Sequence, residues 1–165
     1  MASAVVGSQT LKLRLLEPED ASLIRRFYWR LSQETIYRRF MGTVVPPADD
    51  LCRRLTDVDH RDRDALIALD ARGIAGVARY AVTPGGGAYD VAVVVADEWQ
   101  GRGLGRLLMR RLAHIARLRG ITRFHATMFG DNRRALSLVR GLSPRATFHY
   151  ASGEIEADIP LRAPV

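Results

Sequence analysis

Cysteine is almost missing from this chain: Cys52 stands alone among 165 residues, which excludes an internal disulfide and a cysteine-based zinc site. Lysine is as scarce, with Lys12 set against 24 arginines. No apolar run approaches the ~20 residues of a membrane-spanning helix, so no membrane partner is expected. The opening MASAVVGSQT lacks both the basic stretch and the apolar stretch of a secretory signal, which makes a cytoplasmic protein the expectation. The histidines His60, His114, His125 and His149 have no metal-ligand spacing. Asp57, Asp59, Asp62 and Asp64 suggest a calcium loop in outline. Arg61 and Arg63 take ligand-like positions there and no glycine follows, so a solvated charged turn is the better reading and no metal is expected.

What is present suits one folded domain. Hydrophobic residues make up 47% and charged residues 26%, enough for a full core, and no repeat or long Pro/Gly/Ser-rich linker divides the chain. We expect a single domain over residues 10–162 behind a flexible N-terminus, 1–9. The net charge of +7 would draw a polyanion, either nucleic acid or a phosphorylated ligand. No nucleic-acid motif accompanies it, and nucleic acid is not an expected partner.

TLKLRLL (10–16) alternates as a strand does. Helices follow over 17–32, with Leu23, Ile24, Phe27, Tyr28 and Leu31 as the apolar stripe, then over 32–40 and 46–60. The pattern turns to strands over 64–71 and 74–82, joined at Arg72-Gly73. AYDVAVVVA (88–96) is apolar on both faces, as a doubly covered central strand is. Residues 103–119 make the best amphipathic helix, closed by Gly120. A strand over 121–129, a helix over 131–142 and a hairpin over 145–161 complete the order β-α-α-α-β-β-β-α-β-α-β-β. This predicts an α/β (α+β) fold, a mixed and mostly antiparallel sheet of six to seven strands flanked by helices. The step from 88–96 to 121–129 should be a right-handed parallel crossover.

Between the central strand and the best helix lies WQGRGLG (99–105). A strand, a glycine turn and a helix N-terminus make an anion site, because the unpaired N–H groups and the helix dipole both favour phosphate. Gly101, Gly103 and Gly105 give G-x-G-x-G, which fails the dinucleotide spacing, and no Lys-Ser/Thr pair follows for a Walker loop. Pyrophosphate binding without a nicotinamide pocket points to coenzyme A. Gln100-x-x-Gly103-x-Gly105 resembles the Q/R-x-x-G-x-G/A motif of the GNAT N-acetyltransferases. Asp131-Asn132, ahead of an apolar helix, resembles that family's second cofactor segment. LSQETIYRRF (31–40) and YDVAVVVADEWQGRGLG (89–105) are similar to the catalytic domain of the bacterial protein lysine acetyltransferases that modify acyl-CoA synthetases. Many of those carry a fused regulatory module, so the resemblance implies a bare catalytic domain here.

The resemblance further implies acetyl-CoA as co-substrate and direct acetyl transfer to a lysine ε-amine of a protein such as an acyl-CoA synthetase. It assigns the main chain around Val93, Val94 and Val95 to the pantetheine arm and the thioester carbonyl. Gln100, Gly101, Arg102, Gly103, Leu104, Gly105 and Arg106 fall to the pyrophosphate, Asn132 to the pantetheine end, and Tyr37, Arg38 and Arg39 to the acceptor side. A lysine amine of pKa ~10.4 must lose a proton before it attacks. Where these enzymes place a glutamate base near the start of the fourth strand, this chain has Asp90, one methylene shorter, so a water relay would be needed. Asp90 is either that catalytic base, its pKa raised by burial, or a strand-end aspartate hydrogen-bonded to the adjacent turn. The tyrosine acid of many GNAT enzymes falls at Val139, which leaves the thiolate, of pKa ~8.5, to depart unaided or through water. Cys52 reads as structural. Acetylation of a small amine (an aminoglycoside or polyamine) and a non-catalytic acyl-CoA sensor are the alternatives; the basic composition counts against a cationic small acceptor.

Overall fold

The computed structural model describes residues 1–42 and 48–161. Strands β1 (Ala2–Val6) and β2 (Gln9–Leu15) form a hairpin, and a short 3-10 turn leads to helices α1 (Ala21–Arg30), α2 (Gln33–Phe40) and α3 (Asp49–Leu55). Strands β3 (Arg63–Asp70), β4 (Gly73–Val82) and β5 (Tyr89–Val95) run as a meander. Helix α4 (Leu104–Leu118) then crosses to β6 (Arg123–Phe129), and α5 (Arg133–Leu142) precedes the hairpin of β7 (Thr147–Ala151) and β8 (Glu154–Pro160). One sheet holds them in the order β1-β2-β3-β4-β5-β6-β8-β7. Among the described residues only β5 and β6 pair in parallel.

This is the expected mixed α/β sheet with one strand more than six to seven. Residues 1–9, expected to be a flexible N-terminus, supply it: Ala2 lies opposite Leu13 and Val6 opposite Gln9, reversed at Gly7 with φ +62°. Val6 is buried while Val5 is exposed, the alternation of an edge strand too short to be read from MASAVV. The third helix is also shorter than 46–60, and its two prolines lie outside the described residues. It stops where Thr56 Oγ1 donates back to the Cys52 carbonyl at 2.9 Å. Beyond it, one Asp59 carboxylate oxygen accepts the N–H groups of Arg61, Asp62 and Arg63 at 3.0, 2.8 and 2.9 Å. Asp57, Asp59 and Asp62 therefore belong to a turn held by an aspartate of its own, as expected, whereas Asp64 departs from the expected solvated turn and is fully buried in β3.

The two faces of β4 belong to different helices. A Cβ on Gly76 would meet Leu108 Cδ1 at 2.9 Å and Leu104 Cδ2 at 3.3 Å, so the even-numbered residues of β4 face α4. Tyr80, on that face, receives Arg119 Nη1 at 2.8 Å, and Arg119 also pairs with the fully buried Asp64. Asp64 meets His60 Nδ1 at 2.9 Å. That bond first, and one to Glu17 second, raise the His60 pKa above its ordinary value. A buried carboxylate needs such partners, and these fasten the C-terminal end of α4 to β3 and β4. The N-terminal end is thereby aimed at the end of β5.

The parallel pair positions the site. β4 and β5 match over seven residue pairs, Gly76–Val82 with Tyr89–Val95, whereas β5 and β6 share a single bridge, Asp90 opposite His125. Past that bridge the β6-facing edge of β5 has no further strand partner. An opening therefore runs from Asp90 and His125 toward the C-terminal ends of both strands, where α4 and α5 begin.

Candidate active site

The glycine loop closes the wide end of this opening. Gly101 and Gly103 have φ of +73° and +87°, a left-handed backbone that costs other residues roughly 1–2 kcal/mol. Gly103 is the N-cap of α4. A Cβ at either glycine would meet nothing within 4 Å, so the loop faces open space and its glycines serve backbone conformation. The first backbone bond of the helix is Leu107 N–H to Gly103 carbonyl, 3.0 Å. The N–H groups of Gly101, Arg102, Gly103, Leu104, Gly105 and Arg106 donate to no backbone acceptor, the arrangement that receives an anionic phosphate. Leu104 is buried, so its side chain belongs to the core and only its N–H is offered. Arg102 lies over the Trp99 ring at 5.3 Å. Arg106 lies along α5, where a Cβ on Gly141 would come within 3.6 Å of it.

The Gln100 side chain is engaged within the protein. Its Nε2 donates to Thr35 Oγ1 and to the Val95 carbonyl, both at 3.0 Å, and its Oε1 accepts from Arg134 Nη1 at 2.7 Å. Both amide hydrogens and one acceptor site of the oxygen are taken by protein partners, which pin the loop to α2, β5 and α5. Asn132 is partly committed too: its Oδ1 caps α5 through the Ala135 N–H at 3.2 Å.

Main-chain direction sorts the three valines. Ala96 N–H bonds the Ala75 carbonyl toward β4, while the Val95 carbonyl bonds Gln100 on the other side. In an antiparallel ladder these directions alternate. Val95 and Val93 therefore turn their main-chain groups into the opening, and Val94 turns its groups to β4. Val94 is thus excluded from the expected main-chain contacts, and its side chain is buried.

At the narrow end Asp90 Oδ1 lies 3.0 Å from His125 Nδ1. The Asp90 side chain is 57% exposed, so the burial expected of it is absent. Cross-strand register puts His125 on one face with Asp158, and Thr127 with Glu156. Asp90, Glu156 and Asp158 therefore make this face locally acidic in a chain of net charge +7, and among the described residues only Asp158 of the three has an arginine partner, Arg123 at 3.2 Å.

Helix α2 spans the mouth of the opening. Tyr37 stacks on Phe129 of β6 at 5.0 Å, and Arg38 pairs with Asp131 at 3.2 Å. Arg39 lies over the ring of Phe40 at 4.8 Å. Tyr37 and Arg38 thus tie the helix to the β6 end, while Thr35 ties it to the β5 end. Asp97, which the sequence did not single out, locks the junction by accepting from Ser32 N–H, Ser32 Oγ and Thr35 Oγ1 at 2.9, 2.7 and 2.8 Å. Desolvation would raise its pKa, but these bonds outweigh that and hold it below the ordinary carboxylate value. Val139 is buried in the core and offers no acid. Burial pushes the Cys52 thiol up in pKa, away from thiolate chemistry.

Comparison with known proteins agrees with this geometry. The acetyltransferase (GNAT) family model matches residues 25–142. An acetyltransferase of Pseudomonas aeruginosa is 34% identical over 126 residues, covering 73% of this chain and 67% of that protein. Acetyltransferase Pat of Mycolicibacterium smegmatis is 36% identical over 124 residues, which cover 73% of this chain but only 37% of Pat. The crystal structure of the GNAT domain of S. lividans PAT superposes with a TM-score of 0.87 at 27% identity, over 97% of this chain and 96% of that one.

Proposed function

The chain belongs to the GNAT acetyltransferase family, and from that premise we propose that it transfers acetyl from acetyl-CoA to a lysine ε-amine of a protein, with Asp90 providing the carboxylate of the proton-accepting group. The observation that carries this reading is the opening between β5 and β6, with a phosphate-type N–H cradle at one end and an aspartate–histidine contact at the other. The cradle of residues 101–106 would hold the pyrophosphate. The N–H groups of Val93 and Val95 would pair with the pantetheine arm and polarise the thioester carbonyl as negative charge develops on its oxygen. Acetyl-CoA supplies the activated acyl group.

The acceptor enters from the α2 side. Lysine arrives as an ammonium, and the acids at Asp90, Glu156 and Asp158 favour a cation there. This local field removes the objection that the basic composition raises against a cationic acceptor. The resemblance of residues 31–40 and 89–105 to the bacterial protein lysine acetyltransferases supports a protein rather than a free amine as its carrier, with an acyl-CoA synthetase as the acceptor it implies.

Release of CoA thiol from acetyl-CoA, measured with acyl-CoA synthetases, lysine peptides, aminoglycosides and polyamines, tests the reading. We expect turnover on protein or peptide lysine, and turnover confined to small amines would refute it. Asp90→Ala should lower kcat by about 10²–10⁴, the usual worth of general acid–base catalysis, while CoA affinity stays within about twofold.

A further inference from the structure

We propose that the proton-accepting atom is Nε2 of His125, with Asp90 acting as the positioning residue that holds the imidazole in the competent tautomer. The proposal rests on the acetyltransfer reading above and sharpens its chemistry.

The geometry is direct. Asp90 and His125 form the one bridge of the parallel pair, so their side chains leave the sheet together on the face that carries Asp158 and Glu156. An ionised carboxylate can only accept hydrogen bonds. The 3.0 Å contact between Asp90 Oδ1 and His125 Nδ1 therefore requires Nδ1 to carry the hydrogen. A neutral imidazole in that state has its lone pair on Nε2, and no side chain or backbone group among the described residues takes it. The His125 side chain is 34% exposed, so Nε2 is within reach of an entering amine. Asp90 and His125 differ in this from His60, whose two ring nitrogens are both engaged, by Asp64 and Glu17.

This arrangement also answers the deficit of an aspartate at a glutamate position. A carboxylate one methylene short and 57% exposed has neither the reach nor the desolvation of a tuned base. Adding an imidazole extends the proton path by the width of a ring. The charged groups on this face near His125 include Asp90 from β5, Asp158 and Glu156 from β8, and Arg123 on its own strand, the last tied to Asp158 at 3.2 Å; His149 of β7 lies opposite Glu156, and Arg79 of β4 is one diagonal step from Asp90.

In the step itself, Nε2 takes one proton from the lysine ammonium and passes it to solvent. The freed nitrogen lone pair forms the C–N bond at the thioester carbonyl. As the tetrahedral intermediate collapses the C–S bond breaks, and the second amine proton ends on the CoA sulfur. No oxidant or further reactant is needed.

The test joins kinetics with nitrogen NMR of the full chain. His125→Ala and His125→Gln should each lower kcat by 10²–10⁴, and added imidazole should restore at least tenfold of the loss in the alanine variant. Asp90→Asn presents an amide that can donate to Nδ1, so the histidine ring should shift to the Nε2–H tautomer, with a comparable loss of kcat. Asp90→Glu tests the conservative exchange and should retain the Nδ1–H tautomer. Activity of both His125 variants within twofold of wild type, with Asp90→Ala inactive, would overturn the proposal and leave the acetyltransfer reading standing. An Nε2–H tautomer in the wild-type protein would overturn it as well. The NMR arm needs no acceptor, so failure to acetylate any lysine would count against the function while the dyad is still judged on its tautomer.

Discussion

Replacing Gln100 with alanine decides whether the first residue of the Q-x-x-G-x-G motif acts on the ligand or on the protein. Its two neutral bonds, to Thr35 and the Val95 carbonyl, are each worth about 1 kcal/mol net, and the carbonyl left without a donor adds a desolvation penalty. The bond from Arg134 is exposed and contributes little by comparison. The expected loss is about 2–3 kcal/mol, which in a chain of this size lowers Tm by about 5–10 °C. Scanning calorimetry of the ligand-free protein reads this directly. Gln100→Glu keeps a partner for Arg134 but sets a carboxylate oxygen against the Val95 carbonyl, so it should fall between wild type and alanine in stability. A Gln100→Ala protein with Tm within about 1 °C of wild type but CoA affinity down tenfold or more would refute the reasoning. Gln100 would then be a ligand-binding side chain after all.

The Asp97 junction should be acid-sensitive. Its folded pKa lies below the unfolded value near 3.8, so its contribution is complete above about pH 4 and drains away as pH falls through the lower folded value. The Tm difference between wild type and Asp97→Asn should therefore shrink between pH 6 and pH 3, and a difference constant across that range would contradict the assignment. Gly76→Ala should cost about 1–3 kcal/mol by overpacking, because its Cβ would sit 2.9 Å from Leu108 Cδ1 in the fully buried seam under α4. A urea midpoint unchanged from wild type would show that α4 can yield there.

What the sequence discloses, and what it hides, follows from how far apart the interacting residues stand. The cradle is legible because strand, glycine turn and helix are contiguous over residues 89–118, and local periodicity reports contiguous structure. The motif shows that Gln100 is required without showing why. Its partners Thr35 and Arg134 lie on helices far away in the chain, so a protein-binding role and a ligand-binding role look alike in one dimension. The three valines read as a single run, yet the alternation of main-chain direction separates Val93 and Val95 from Val94. That distinction appears only once the β4 register is known. Asp90 is singled out by the resemblance, which sets it where the family has a glutamate, and the apolar residues that follow it suggest burial. The structure reverses that environment, since a strand can be buried along its length and open at its first residues. His125 is the strongest instance. In the sequence His125 is a strand histidine that could face the cleft and reads more simply as a packing or surface residue, because its significance rests on the parallel register that sets it against a residue 35 positions earlier. An aspartate standing for a glutamate is a deficit in one dimension and half of a pair in three, and the compensating residue must be sought on the neighbouring strand rather than in the motif.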